Sequence, residues 1–312
     1  MRIRRSIFAL SAAVVAAVAL AGCTSSPSAS PTATAAANLC DAKVASGSAS
    51  DSVKVSGKVG EPAKVEFKKP ITSTTLQSTV VTEGTGQKLK AGDLVQLALT
   101  EFNATTGEAA GAIGQDDASL LPQQISASSV PGQVLGCATV GTRVVAVLPG
   151  QSGVPTTVDV VDVKGIVPAA AWGKAQAAEA GMPTVKLAAN GQPTITVPKT
   201  DAPKDVKIAT LKKGDGATVE SGDTVLVQYT GVLWKDGTVF DSSWANGSPM
   251  SLQTTKVVPG FGKALTGATV GSQVLVVIPP DQGYGSKATG AIPANSTLVF
   301  VIDILGTQHT PK

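Results

Sequence analysis

Ala138-Thr139-Val140-Gly141-Thr142-Arg143-Val144-Val145 recurs as Ala268-Thr269-Val270-Gly271-Ser272-Gln273-Val274-Leu275. Working outward, Lys90-Ala91-Gly92-Asp93-Leu94-Val95 matches Glu220-Ser221-Gly222-Asp223-Thr224-Val225, and Val130-Pro131-Gly132 matches Val258-Pro259-Gly260. Pro149 matches Pro279, and Gly60-Glu61-Pro62 corresponds to Gly191-Gln192-Pro193. Ordered matches at a nearly constant offset of about 130 mark a tandem duplication. Each copy reads mostly as strand. Val225, Val227 and Tyr229 alternate with Leu226 and Gln228 at the period of a half-buried strand. Gln273 to Ile278 and Thr297 to Leu305 are β-branched runs closed by Pro279-Pro280 and Gly306. The helix signal is confined to Phe261 to Leu265, between Gly260 and Gly267. The expected fold class is α+β, with an antiparallel sheet wrapped around one short helix in each copy.

The 312 residues leave room for about two domains, and 43% hydrophobic residues supply each with a core. Arg2, Arg4 and Arg5 precede an uncharged run from Ser6 to Leu20, the layout of an export signal. That run of about 15 residues falls short of the ~20 that a spanning helix needs. It ends at Leu20-Ala21-Gly22-Cys23, a small-residue site with cysteine directly after it, similar to a bacterial lipobox. The resemblance implies acylation of Cys23 and a lipid anchor on the extracytoplasmic face of the membrane; a plain secretory signal or an uncleaved anchor are the alternatives. Losing three signal arginines takes the 25 Lys and Arg down to parity with the 22 Asp and Glu. No basic excess then speaks for nucleic acid. Cys40 and Cys137 remain as an even pair, expected to form a disulfide in an oxidising compartment, or else to be two buried thiols.

The expected division is a signal peptide at 1–22, a flexible Ser/Thr/Pro/Ala tether at 23–39, and a first domain at 40–167. A connector with some edge-strand character follows at 168–204, then a second domain at 205–308 and a tail at 309–312.

The second copy reads in order Lys213-Gly214-Asp215-Gly216, Val227-Gln228-Tyr229-Thr230-Gly231, Phe240-Asp241-Ser242-Ser243, Val257-Val258-Pro259-Gly260-Phe261, Gly267-Ala268-Thr269-Val270-Gly271, Ile278-Pro279-Pro280, Tyr284-Gly285, Ile292-Pro293 and Leu298-Val299-Phe300. This order resembles the FKBP-type peptidyl-prolyl isomerases, the macrolide-binding immunophilins, across essentially the whole second domain. The resemblance implies two tandem FKBP-like domains and a pocket in the second. Tyr229, Phe240, Asp241, Phe261 and Tyr284 would be catalytic, and Val257, Val258, Ile292, Phe300 and Met250 would bind substrate. Phe261 stands where the family prototype has Trp and Met250 where it has Phe; both replacements keep the wall apolar. The two tyrosines of the chain both fall on pocket positions, and the large rings concentrate in the second copy. Phe300 and Trp234 read equally well as core.

In this family's reaction an X-Pro amide rotates over a barrier of ~18–20 kcal/mol without a bond being broken. By the resemblance, Tyr284 would hydrogen-bond one substrate carbonyl and the Val258 N–H another, while Asp241 would hold part of the site through Tyr229. The single histidine, His309, is in the tail, so a Ser-His-Asp triad and a His-rich zinc site have no support. No phosphate-binding glycine loop opens a helix, so no cofactor or metal is expected.

The first copy departs from the pattern. Pro149 to Asp162 spans 13 residues where Pro279 to Asp303 spans 24, so the loop carrying Tyr284 and Ile292 is missing. Leu99 occupies the place of Tyr229, and no Phe-Asp-Ser-Ser follows Thr106-Gly107. The first copy is expected to be a degenerate domain without isomerase activity. The whole chain is expected to isomerise proline-containing exported clients at the membrane surface, with a macrolide as candidate ligand. The alternative is a non-catalytic client-binding or scaffold lipoprotein using the same groove.

Overall fold

The computed structural model describes residues 38–151 and 153–310. Its first half contains α1 (Ser48–Asp51), β1 (Lys54–Ser56), β2 (Lys64–Glu66), β3 (Gln77–Thr82), β4 (Leu94–Asn103), β5 (Ala109–Ile113), β6 (Gln123–Gln124), α2 (Val130–Leu135), β7 (Arg143–Leu148) and β8 (Thr157–Val167). The second half contains β9 (Lys174–Ala175), β10 (Thr184–Leu187), β11 (Pro193–Thr196), β12 (Lys207–Lys213), β13 (Thr224–Leu233), β14 (Val239–Ser242), β15 (Met250–Gln253), α3 (Pro259–Leu265), β16 (Gln273–Ile278) and β17 (Leu298–Gln308).

Two antiparallel sheets repeat one strand order. The first runs β3-β7-β8-β4-β5 with β6 on β4, and the second β12-β16-β17-β13-β14 with β15 on β13. The opening octapeptide forms the same turn twice. Thr139 Oγ1 donates to the Gly84 carbonyl and Thr269 Oγ1 to that of Gly214, both at 2.6 Å. Gly141 and Gly271 follow at φ of 94° and 91°, a left-handed conformation that favours glycine. Immediately after each turn a sheet strand begins, β7 or β16, with every residue from Gln273 to Ile278 buried.

One face of each sheet carries the short helix. Val219, Val225, Val227, Ala264, Leu265, Val274, Val276, Ile302 and Ile304 close the helix-facing core of the second half. Leu89, Val95, Leu97, Ile125, Val134, Leu135 and Val144 do so in the first. Pro259 starts α3 with its φ preset and no N–H to leave unpaired, and Gly267 at φ 85° follows its end.

The opposite face is also covered, which the sequence did not suggest. The hairpin β1-β2 lies over the first sheet, where Val53, Ala63 and Ile71 meet Phe102, Val145, Val147, Val158 and Val160. The hairpin β10-β11 lies over the second, where Ile195, Met182, Val185 and Val197 meet Trp234, Leu275, Val277, Val299 and Val301. Residues 168–204, expected to be a connector, thus belong to the second half's fold, and β9 adds an edge strand to its sheet. The physical reason is the β-branched back face of β16 and β17, which needs an apolar cover. The tether likewise ends earlier than expected, since Leu39 is 3% exposed and packs into the first core. At the other end, the expected tail is tied down at His309 and Thr310. His309 N donates to the Ala118 carbonyl at 2.8 Å and Thr310 Oγ1 to the Gly222 carbonyl at 2.7 Å.

Cys40 and Cys137 are joined as a disulfide across 97 residues, tying the start of the first half to the end of α2. Cys23 lies outside the described residues. Among the described residues no helix is long and apolar enough to cross a membrane.

Candidate functional site

On the helix-facing side of the second sheet, four aromatic rings meet where β13, β14, β17 and α3 converge. Phe300 sits at the centre, its ring edge-on to Phe261 at 5.0 Å and 89° and to Phe240 at 5.4 Å and 87°. Tyr229 lies 6.1 Å from both Phe261 and Phe300. Edge-to-face packing of this kind places ring hydrogens against neighbouring π-faces. The backbone makes room for it at Gly231, opposite Phe300 in the ladder. A Cβ there would stand 2.6 Å from Phe240 Cζ and 2.7 Å from Phe300 Cε1, so no larger residue fits without moving a ring.

Polar groups frame this apolar floor. The Tyr229 hydroxyl donates to Asp241 Oδ2 at 2.5 Å, and Met250 Sδ lies 4.0 Å from the tyrosine oxygen. Burial, and then the Asp241 carboxylate, push the Tyr229 hydroxyl well above its usual range, so it stays protonated and donating. Below, Tyr229 N donates to Ser243 Oγ at 2.8 Å, and that hydroxyl donates in turn to Gln228 Oε1. Both groups are buried, so the pair fixes the strand under the tyrosine.

The structure brings most of the expected residues together. Tyr229, Phe261, Phe300 and Ile292 belong to one buried cluster against which Phe240, Val257 and Val258 pack. Ile292 reaches it from the segment between β16 and β17, where it exchanges backbone hydrogen bonds with Thr289 at 2.9 Å in both directions. Tyr284 and Met250 stand at the rim, 40% and 37% exposed, and the Tyr284 hydroxyl bonds to none of the described residues. The Val258 amide also donates to none of them, because it precedes the first turn of α3. Trp234 resolves as core of the back face, its Nε1 donating to the Thr200 carbonyl at 3.1 Å.

Sequence reasoning did not single out Gly231 or Ser243. Gly231 carried a signal, a glycine inside a strand run, which marks close approach of another group. Ser243 carried none that separates it from Ser242.

The first half holds no such ring cluster among the described residues. The ladder places Leu99 at the position of Tyr229, Glu101 at that of Gly231 and Asp159 at that of Phe300. Also among the described residues, no three His, Cys, Asp or Glu side chains gather as a metal site.

Comparison with known proteins places these features in a family. The family model described as FKBP-type peptidyl-prolyl cis-trans isomerase matches residues 216–305. The FKBP-type peptidyl-prolyl cis-trans isomerase FkpA of Escherichia coli strain K12 is 38% identical over 102 residues, 33% of this chain and 37% of that protein. A probable FKBP-type peptidyl-prolyl cis-trans isomerase of Haemophilus influenzae is 44% identical over 100 residues, 32% of this chain and 40% of its own length. The chain thus spans well under half the length of these two relatives. It covers 97% of a probable FK506-binding protein of Corynebacterium glutamicum, 34% identical over 114 residues that make up 36% of this chain. With nearly all of that relative matched above 30% identity, and the ring cluster inside residues 216–305 of the family model, the chain belongs to the FKBP-type peptidyl-prolyl cis-trans isomerase family.

Proposed function

We propose that the second half catalyses cis-trans isomerisation of X-Pro bonds in polypeptides, and that it does so alone. The observation that carries this reading is the ring cluster of Tyr229, Phe240, Phe261 and Phe300, closed by the Tyr229–Asp241 hydrogen bond. A proline ring seated on Phe261 and Phe300 leaves its amide against a dry wall. The planar amide carries the larger charge separation, so removing water favours the twisted form, and stabilising the twisted form over the planar one raises the rate. The Val258 N–H and the Tyr284 hydroxyl, both without an intramolecular acceptor among the described residues, supply donors for carbonyls flanking the proline. No proton is transferred and no nucleophile takes part.

The first half lacks the rings and the loop that bears Tyr284 and Ile292, so we read it as a degenerate FKBP-like domain in tandem with the active one. With the export signal, the cysteine at 23 and the disulfide, this supports a lipoprotein that acts on exported clients at the outer face of the membrane. There, uncatalysed isomerisation takes tens to hundreds of seconds. A macrolide fits the same apolar floor.

A protease-coupled assay on a Leu-Pro or Phe-Pro peptide tests the reading. Phe261→Ala is expected to lower kcat/KM more than Tyr284→Phe, with folding followed by circular dichroism. The first opens the floor to water, whereas the second removes one hydrogen bond worth ~0.5–1.5 kcal/mol. Undiminished activity in a folded Phe261→Ala protein would show the pocket to be elsewhere. Fatty-acid labelling that disappears in Cys23→Ala tests the anchor.

A further inference from the structure

One row of residues crosses each sheet at the same register. In the second half it reads Val276, Phe300, Gly231 and Asp241. In the first half the same row reads Ala146, Asp159, Glu101 and Gly111. The central ring has been replaced by a carboxylate, and a second carboxylate stands beside it where the glycine was. Ala146 and Gly111 at the two ends leave the row without bulk.

Asp159 is 8% exposed, and its Oδ1 is buried with no hydrogen-bond partner among the described residues. Its neighbours Val158 and Val160 face the back core, so Asp159 faces the helix side, where the second half has its pocket. A buried carboxylate oxygen without a donor is strongly disfavoured in its charged form. Such a group is retained either at a cost or for an occupant that supplies the missing donor.

The Thr157 hydroxyl, two positions back along β8, is a donor to this carboxyl, and it leaves Oδ1 unsatisfied. Among the described residues, β3, β5 and α2 carry no charged side chain. Arg143 of β7 is engaged on the opposite face by Asp162, and Lys164 is held by Asp117 and the carbonyls of Gly114 and Gln115. Beside Glu101 runs β5, which ends the first sheet. Its residues Ala109 to Ala112 are small and exposed. With no side chain at Gly111 and only methyl groups beside it, that end of the row leaves room for a chain to cross β5.

We propose that the first half carries a binding site for the cationic side chain of a lysine or arginine in an extended polypeptide, with Asp159 as the buried anion and Glu101 beside it. The polypeptide would cross the helix-facing side of the sheet over Gly111 and direct its ammonium or guanidinium past Glu101 to Asp159. This gives the half without an isomerase pocket a role in selecting basic segments of a chain. Burial, and then repulsion from Glu101, raise the Asp159 carboxyl from 3.8 to about 7. Cation binding must displace that proton, so affinity is expected to rise from pH 6 to pH 8.

The test uses the whole protein and a fluorescein-labelled, proline-free alanine-based peptide with one central lysine, beside the same peptide carrying norleucine. The lysine peptide is expected to bind about tenfold tighter or more, the scale of a charge-assisted hydrogen bond. That difference should vanish in Asp159→Asn, a substitution of nearly equal shape whose folding is checked by its thermal melt. Prolyl isomerase activity should be the same in both proteins. Equal binding of the two peptides to the unsubstituted protein would overturn the proposal, as would a lysine preference that survives Asp159→Asn. Lysine amide binding as tightly as the peptide would overturn the polypeptide occupant.

Discussion

Gly231 and Asp159 show how single positions decide what each half can do. At Gly231 a methyl group would meet Phe240 and Phe300 well inside van der Waals distance. Gly231→Ala is therefore expected to cost ~1–3 kcal/mol of stability through displaced rings. It should also lower kcat/KM by more than Tyr284→Phe does, and urea unfolding alongside the prolyl-peptide assay would measure both. At Asp159 the folded chain keeps a proton that the unfolded chain releases. The stability this confers is complete below about pH 4, declines as pH rises through about 7, and is level above that. Asp159→Asn should remove the decline, leaving the substituted protein more stable at pH 8 by an amount on the order of a few kcal/mol. Urea midpoints for both proteins at pH 5 and pH 8 check this, and parallel pH dependence would refute it.

Between elements, the two halves use different chemistry at one register to hold their back layers. Arg143 pairs with Asp162 at 2.6 Å and spends its remaining donors on the carbonyls of Gly57, Lys58 and Glu61, pinning the β1-β2 hairpin. In the second half the pair is Gln273 and Asp303, with Asp303 Oδ2 accepting from Ala171 N at 2.9 Å. Burial raises the Asp303 carboxyl, which fits a neutral amide partner. Arg143→Leu leaves Asp162 buried without its counter-charge, holding only the Gly60 N–H, a loss expected to be ~3–5 kcal/mol. Arg143→Gln copies the other half and should lose clearly less, which thermal melts of the two would show. These back layers explain what the sequence could disclose and what it could not. The sheet strands were legible because β13, β16 and β17 are long β-branched runs, and the ring cluster because Tyr229, Phe240, Phe261 and Phe300 stand in a recognisable order. The hairpins β1-β2 and β10-β11 were obscure because three- and four-residue strands such as Lys54–Ser56 carry almost no periodic signal. Their burial depends on the opposite face of a sheet assembled from distant strands, which no local pattern reports. Asp159 was passed over for a related reason: its burial and the unsatisfied Oδ1 arise only when β4, β7 and β8 are assembled.

At the scale of the molecule, a small apolar seam joins the halves. Leu94 and Leu121 meet Leu226 and Leu305 beside Val167, Pro122 lies where a Cβ on Gly306 would be, and the His309 amide bonds to Ala118. Beyond this seam each sheet has its own two cores, so the second half should fold and isomerise without the first. Where that half begins is the sharper question, because residues 205–308 hold every residue of the ring cluster but not the cover over the back of their sheet. Ile195 with Met182, Val185, Val197 and Ala202 closes the face formed by Leu275, Val277, Val299 and Val301. Removing such a layer exposes several apolar side chains at once, each worth ~1.5–3 kcal/mol when fully buried, and it also takes the Thr200 carbonyl from Trp234. A fragment of residues 168–312 is therefore expected to unfold at a higher urea midpoint than residues 205–312, by several kcal/mol. Activity per folded molecule should be the same in both, since the rings of the site lie on the covered side of the sheet under α3. With Trp172 and Trp244 replaced by Phe, Trp234 gives an independent optical readout, its emission shifting to the red in the shorter fragment as water replaces the hairpin. Equal midpoints and equal emission would mean that the β10-β11 hairpin rests on the sheet without stabilising it, and that the second half begins at residue 205.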